Sequence, residues 1–234
     1  REPAKLKELQ DLFWTEAEKY NVLPLNNSRI DRFDVNLRPS LTRGRDEFTY
    51  YPGIVRIPEG AAPDTKNKSW QIKAEVDIPK GGAEGMLLTH GGRFSGWGFY
   101  LLKGKPVFCY NLAGVAHYNI AGKDKLAPGA HTIVYDFKYD GPGLGKGGVG
   151  TIQVDGVTVA TGRIERTLAF RLSLDETLDC GEDTGTPVSE DYHVPFKFTG
   201  ELKKAVITLG KSGLTASDEK RFEEFNRRLA VVRD

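Results

Sequence analysis

The chain has 234 residues, with 33 Lys and Arg against 32 Asp and Glu, a net charge of +1, and 39% hydrophobic residues. That balance gives no reason to expect a nucleic-acid partner, and no apolar run approaches the length needed to span a bilayer. The N-terminus, REPAKLKELQ, lacks the apolar core of a secretory leader and reads as a start in mid-protein, which leaves cytoplasm and periplasm equally open. The length suits one domain with extensions: a helix and connector over 1–47, a β-domain over 48–210, and a C-terminal helix over 211–234.

The first predicted element is an amphipathic helix. Pro3 suits its first turn, Leu6, Leu9, Phe13, Ala17 and Tyr20 make one apolar stripe, and Asn21 and Pro24 end it. The connector that follows holds Asn26-Asn27-Ser28, which matches a glycosylation acceptor formally, and Arg29, Arg32, Arg38, Arg43 and Arg45. Those arginines either pair with an acidic neighbouring domain or stay solvated.

Strand patterns then follow at 48–51, 69–78, 85–90, 96–102, 106–112, 116–120, 129–139, 148–154 and 157–164. Lys103-Gly104 and Asp155-Gly156 are hairpin signals, because the second residue of each accepts the positive φ of a type I′ turn. Ile164, Leu168, Phe170, Leu172 and Leu174 extend a period-two alternation and predict a further strand. After a turn-rich acidic loop over 175–191, Val194, Phe196 and Phe198 predict a strand at an edge or bulge, since Pro195 cannot donate to a ladder. Leu202, Val206, Ile207 and Leu209 predict the last strand. Many short strands with glycine-rich turns, uninterrupted by helix, mean an antiparallel sandwich. The expected fold is mainly β: a jelly-roll, concanavalin A-like (laminin-G-like) β-sandwich with one N-terminal and one C-terminal α-helix. The C-terminal helix, about 217–232, is expected to be capped by Ser217, with Phe222, Phe225, Leu229 and Val232 as its stripe. At least one of the two stripes should pack on the sandwich, and the helices could pack on each other.

Two features could bind a ligand. Asp175, Glu176, Asp179, Glu182, Asp183, Glu190 and Asp191 crowd the acidic loop, and Asp179, Asp183 and Asp191 are the calcium candidates, because calcium takes several carboxylate oxygens from flexible loops. The alternative is that these side chains close turns onto the backbone. Trp97, in the glycine-rich run GGRFSGWG, is the aromatic residue nearest to exposure, where it could stack on a sugar, but core or domain-interface packing is the favoured reading. A third possibility, a polysaccharide-cleaving cleft, needs two converging carboxylates among Glu75, Glu84, Asp136 and Glu165.

Other signatures fail. His90, His117, His131 and His193 show no metal-ligand spacing, and Gly143–Gly148 matches a dinucleotide fingerprint only formally, since it leads into a strand and not a helix. Cys109 and Cys180 are either two buried thiols or a disulfide.

The segment LDETLDCGEDTGTPVSEDYHVPFKFTG resembles the C-terminal region of long bacterial arylsulfatases, as do FTYYPGIVRIPEGAAP, IPKGGAEGMLLTHGGRFSGWGFYL and LAPGAHTIVYDFKYDGPGLGKGGVG. The resemblance runs from about Pro3 to Leu209. It implies the accessory tail of a sulfuric ester hydrolase, packing on the catalytic domain and shaping its rim. The formylglycine motif C/S-x-P-x-R of that family is absent: Cys109 precedes Tyr-Asn-Leu-Ala and Cys180 precedes Gly-Glu-Asp-Thr. No catalytic or cofactor-binding residue is therefore carried over, and the family's divalent cation, calcium, is expected only in the catalytic domain. The implied partner is that domain, with self-association through exposed helix stripes as a further expectation. The alternative function is a free-standing carbohydrate-binding module whose partner is a glycan.

Overall fold

A computed structural model describes residues 2–25, 40–173 and 175–231, with side chains for all of these except Phe222 and 225–231. The chain divides into two units, one of residues 1–39 with 225–234 and the other of residues 40–224.

In the first unit, α1 (Pro3–Lys19) starts with proline in its first turn, as expected. Its apolar residues are not covered: Leu6, Leu9, Leu12, Phe13 and Trp14 are all exposed, and only Ala17 is buried. Of the two stripes, at least one of which was expected to pack on the sandwich, that of α1 is therefore uncovered. No helix among the described residues is long and apolar enough to cross a membrane. Asn26-Asn27-Ser28, Arg29, Arg32 and Arg38 lie outside the described residues, as do the side chains of Phe222, Phe225 and Leu229.

The second unit is an antiparallel β-sandwich of jelly-roll type. Sheet A contains β1 (Glu47–Tyr50), β3 (Lys68–Ile78), β8 (Gly129–Tyr139), β9 (Lys146–Val154), β10 (Val157–Arg166) and β12 (Glu201–Ser212). Its strands run in the order β1-β12-β3-β8-β9-β10. Sheet B contains β2 (Ile57–Pro58), β4 (Gly85–Gly92), β5 (Ser95–Leu102), β6 (Lys105–Leu112), β7 (Ala116–Ala121) and β11 (Thr177–Cys180), in the order β2-β11-β4-β5-β6-β7. Both predicted hairpin turns have the positive φ pair of a type I′ turn, 52° and 82° at Lys103 and Gly104, and 51° and 83° at Asp155 and Gly156.

Alternation decides which side chains meet between the sheets. Trp70 and Tyr135 point inward from sheet A, Trp97, Phe99 and Phe108 from sheet B, and all are buried. Phe108 stacks on Tyr135 at 3.5 Å between ring centroids, and Trp70 meets Trp97 at 4.9 Å. Such pairs add about 0.5–1.5 kcal/mol to the area that each ring buries. The neighbouring strand β9 makes room with glycine: a Cβ on Gly150 would lie 2.7 Å from the Tyr135 hydroxyl oxygen.

Two predicted strands are loops. The ladder of β10 ends at Arg166. Beyond it the backbone amides find side chains instead: Leu168 donates to the Tyr110 hydroxyl at 2.9 Å, and Leu172 and Ser173 donate to the Glu59 carboxylate at 3.0 and 3.1 Å. Val194, Phe196 and Phe198 belong to a segment that folds back over the outside of sheet B. There Val188, Tyr192, Val194 and Phe196 form a second, smaller core with Met86, Tyr100, Val107 and Cys109. Tyr192 stacks on Phe196 at 4.6 Å. Cys109 lies in this outer core and Cys180 in the main one; both are free thiols, and burial pushes each up to about 12.

The C-terminal helix, α2 (Ala216–Val231), is capped by Thr215 and not by Ser217. The Thr215 hydroxyl accepts from the Asp218 amide at 3.1 Å, and the Thr215 amide donates back to the Asp218 carboxylate at 3.1 Å, the reciprocal pattern of a capping box.

Candidate ligand-binding groove

The carboxylates of the acidic loop are spent on its own backbone. Asp179 accepts from the Arg56 amide at 2.6 Å, the Thr177 hydroxyl at 3.1 Å, and the Thr184 amide and hydroxyl at 2.9 and 2.6 Å. Asp183 accepts from the Tyr192 hydroxyl at 2.6 Å and the Gly185 amide at 3.3 Å. Asp191 accepts from the Ser189 hydroxyl at 2.8 Å. Glu176 holds the Thr186 hydroxyl at 2.6 Å, and Glu190 pairs with Arg93 at 3.0 Å. Among the described residues, no three acidic, histidine or cysteine side chains converge as metal ligands. Asp179, Asp183 and Asp191, the calcium candidates, each accept from different groups of the loop and its neighbours, the arrangement of the turn-closing alternative.

Trp97 takes the core-packing reading and not the sugar-stacking one. It is 0% exposed, and its indole N–H donates to the Thr65 hydroxyl at 3.3 Å. The exposed ring of that run is Phe94, at 72%. The carboxylates considered for a cleft also stay apart. Glu75 and Asp136 share the outer face of sheet A, but the register pairs Asp136 with Gln71 and Glu75 with Thr132. That offset of four residues is roughly 13 Å at the strand rise, well beyond a catalytic pair.

Beside His90 lies a buried ion cluster. Lys66 binds Glu59 and Asp64, each at 2.8 Å, with the side chains of Lys66 and Glu59 almost fully covered. Burial alone would raise Glu59, but Lys66 and the amides of Leu172 and Ser173 hold its carboxyl below the usual range. The His90 ring is buried against Trp97, with neither nitrogen hydrogen-bonded among the described residues. Burial and nearby Lys66 lower it to about 4, so it is neutral at physiological pH.

The open surface feature lies elsewhere, along one side of the sandwich. β7 is the last strand of sheet B and β10 the last of sheet A, so both present an unpaired backbone edge. The segment between β7 and β8 is pinned beside them. Gly122 donates to the Pro106 carbonyl and Leu126 to the Gly104 carbonyl, both at 2.9 Å. His131 holds the same segment from below: Nε2 lies 2.9 Å from the Ala127 carbonyl oxygen, and Nδ1 lies 2.6 Å from the Asp155 carboxylate. Both partners are acceptors, which favours the protonated ring. Burial would lower His131, but these two bonds outweigh it and raise the imidazole above its ordinary value.

Three depressions adjoin along this side. One of about 330 Å³ is lined by Glu84, Lys103, Lys125 and Thr199. The next, about 460 Å³, is lined by Pro106, Lys123, His131, Val157 and Thr158, and shares Lys125 and Leu126 with the first. The third, about 580 Å³, is lined by Asn119, Ala121 and Thr161, and shares Lys123, Thr158 and Val159 with the second. Together they form one shallow, elongated groove of hydroxyls, amides, amines and small apolar side chains. Of its residues only Glu84 was considered from sequence, as a carboxylate of a cleaving cleft. The signal was faint: three lysines, at 103, 123 and 125, in two turns that only the fold brings side by side.

No protein-family model matches this chain. A search of curated proteins finds no match. Among solved structures, the chain is similar to a Ruminococcus gnavus IT-sialidase CBM40 bound to α2,3-sialyllactose, at 11% identity and a TM-score of 0.48, over 78% of this chain and 96% of that one. It is also similar to mouse laminin α1 domains LG4-5, at 17% identity and a TM-score of 0.39, over 72% of this chain and 43% of that one. A third similarity is to the heptameric SAP-like pentraxin of Limulus polyphemus, at 11% identity and a TM-score of 0.35, over 68% of this chain and 74% of that one.

Proposed function

We propose that this chain is a carbohydrate-binding module that holds a glycan along the β7–β10 groove and performs no chemistry on it. The observation that carries this reading is the groove itself: three adjoining shallow depressions whose lining includes Asn119, Thr158, Thr161, Lys123 and Lys125. Hydroxyl, amide and ammonium groups beside small apolar patches match the alternating polar and C–H surfaces of a sugar chain. The backbone edges of β7 and β10 add fixed donors and acceptors at no cost in side-chain order. The carbohydrate-binding module among the similar structures agrees with this reading but does not support it by itself.

The test is retardation of the chain in native gels containing soluble polysaccharides, with wild type beside Thr158→Tyr, which places a ring in the middle of the groove at an exposed strand position. The reading expects retardation by at least one polysaccharide and its loss in the variant. Equal retardation of both proteins, or none with any glycan, counts against it.

A second reading, attachment to an arylsulfatase-like catalytic domain, draws on the segments that resemble such enzymes and on α1, whose Leu6, Leu9, Phe13 and Trp14 are exposed. A row of uncovered apolar side chains usually marks an interaction surface. If a catalytic domain covers it, Leu9→Glu and Phe13→Glu should abolish co-purification of the two when expressed together, without changing the melting temperature of this chain.

A further inference from the structure

The groove has a charge asymmetry that narrows its ligand. Lys103, Lys123 and Lys125 line it, with His131 beside them held against Asp155. Lys105 follows at the start of β6, one residue past the same turn. None of these four lysines has an ion-pair partner among the described residues. By contrast, Lys73 and Lys204 on the outer face of sheet A both sit against Glu75, and Arg163 on β10 pairs with Asp140. The acidic members of the lining are Glu84 and Asp124, and Glu84 already accepts from the Lys103 amide at 3.3 Å. Asp155 is committed to His131 and the Thr132 amide.

The lysines are also positioned. Lys103 sits on a type I′ turn with little freedom, at φ 52°. The stem of Lys125 lies along Gly104, where a Cβ would be 3.3 Å from its Cγ. Leu126 is hydrogen-bonded to the same glycine, so the two turns that carry Lys103 and Lys125 are fixed side by side. Holding like charges together without internal partners costs stability, and an anionic ligand recovers it.

From this we infer that the groove selects anionic polysaccharide, chains carrying carboxylate or sulfate groups, with Lys103, Lys125 and Lys123 engaging successive acidic groups. The inference rests on the glycan-binding reading and adds the charge of the ligand to it. Lysine suits this task because its ammonium is a compact point charge that does not require one acid geometry, so either anion satisfies it.

The test uses the whole chain and three soluble probes: dextran, dextran sulfate and polygalacturonate. The first two share a backbone and differ only in sulfate; the third carries carboxylate alone. Binding is measured by interferometry at low and moderate salt, for wild type, for the triple variant Lys103→Gln/Lys123→Gln/Lys125→Gln, and for the control Lys73→Gln/Lys203→Gln/Lys204→Gln. The control removes the same charge from the opposite side of the sandwich. Melting curves establish that each variant is folded. The expected result is binding of at least one anionic probe and not of dextran, weakened about tenfold or more in the rim variant and less than about twofold in the control. Sulfate and carboxylate are separated by which anionic probe binds.

If dextran binds as well as the charged probes and the rim variant retains that binding, the charge inference fails while the glycan-binding reading survives. If no polysaccharide of any charge binds, the underlying reading fails with it. If the rim and control variants lose binding equally, attraction is diffuse and the assignment to these three lysines is overturned.

Discussion

Replacing His90 by leucine and Asp183 by asparagine should change the pH dependence of stability in opposite directions. His90 is buried between the sheets, and burial together with Lys66 lowers its imidazole from 6.5 to about 4. Between those values the unfolded chain binds a proton that the folded chain refuses, so this group's contribution is present above 6.5 and lost as pH falls. Asp183, buried beneath the loop on sheet B, behaves oppositely. Burial raises its carboxyl from 3.8 to about 6, assisted by the charges of Asp179 and Glu176 and opposed by the Tyr192 and Gly185 hydrogen bonds. Here the folded chain holds the extra proton, so stability falls as pH rises from 3.8 to 6. One pKa unit is about 1.4 kcal/mol, which puts each effect on the order of 1–3 kcal/mol. Between pH 4 and 6 the two nearly cancel in the wild-type protein. His90→Leu, of similar volume, should gain on wild type by that amount at pH 4 relative to pH 7. Asp183→Asn should gain on it at pH 7 relative to pH 4. Urea unfolding followed by tryptophan fluorescence at several pH values measures both. Parallel pH profiles for wild type and both variants would refute the reasoning.

Three further substitutions probe how the sandwich is held. Lys66→Met strands the covered Glu59 carboxylate and should cost about 3–5 kcal/mol in urea melts, much of which Glu59→Gln should restore in the double variant. Gly150→Ala drives a methyl against Tyr135 and Ile120 and should destabilise by about 1–3 kcal/mol, measured the same way. Tyr192→Phe removes a hydroxyl that donates to Asp183 at 2.6 Å and accepts from the Val188 amide at 3.0 Å. It should cost about 1–3 kcal/mol and raise proteolysis within 181–198 before the melting temperature falls much.

The sandwich was legible where alternation and turn chemistry agreed. Strands β3 to β10 fall within a few residues of their predicted places, and both I′ turns sit where Lys-Gly and Asp-Gly predict them. Periodicity misled where apolar residues meet the core without a ladder. Leu168 and Leu172 are inward-facing, yet their amides go to Tyr110 and Glu59, partners 58 and 113 residues away that no local pattern reveals. The same holds for Val194 and Phe196, which cover the outside of sheet B. Conversely β11 was missed because Asp179 interrupts its apolar character, and that aspartate is buried by its four hydrogen bonds. Trp97 falls in the strand expected at 96–102, and Gly96 lets β5 approach β4 closely within the sheet. The groove was invisible for a topological reason: Lys103 and Lys125 are brought together only by the bond from Leu126 to Gly104, and Asn119 meets Thr158 only because β7 and β10 end their separate sheets.

The most direct test of the central claim is to map the bound polysaccharide by amide chemical shifts on the isotope-labelled chain, titrated with the anionic probe that binds most tightly. The account predicts that perturbations concentrate at 103–105, 119–127 and 157–161 and leave the outer face of sheet A, at Gln71, Lys73 and Thr132, unchanged. Perturbations centred on that outer face, or on the acidic loop at 179–191, would contradict it.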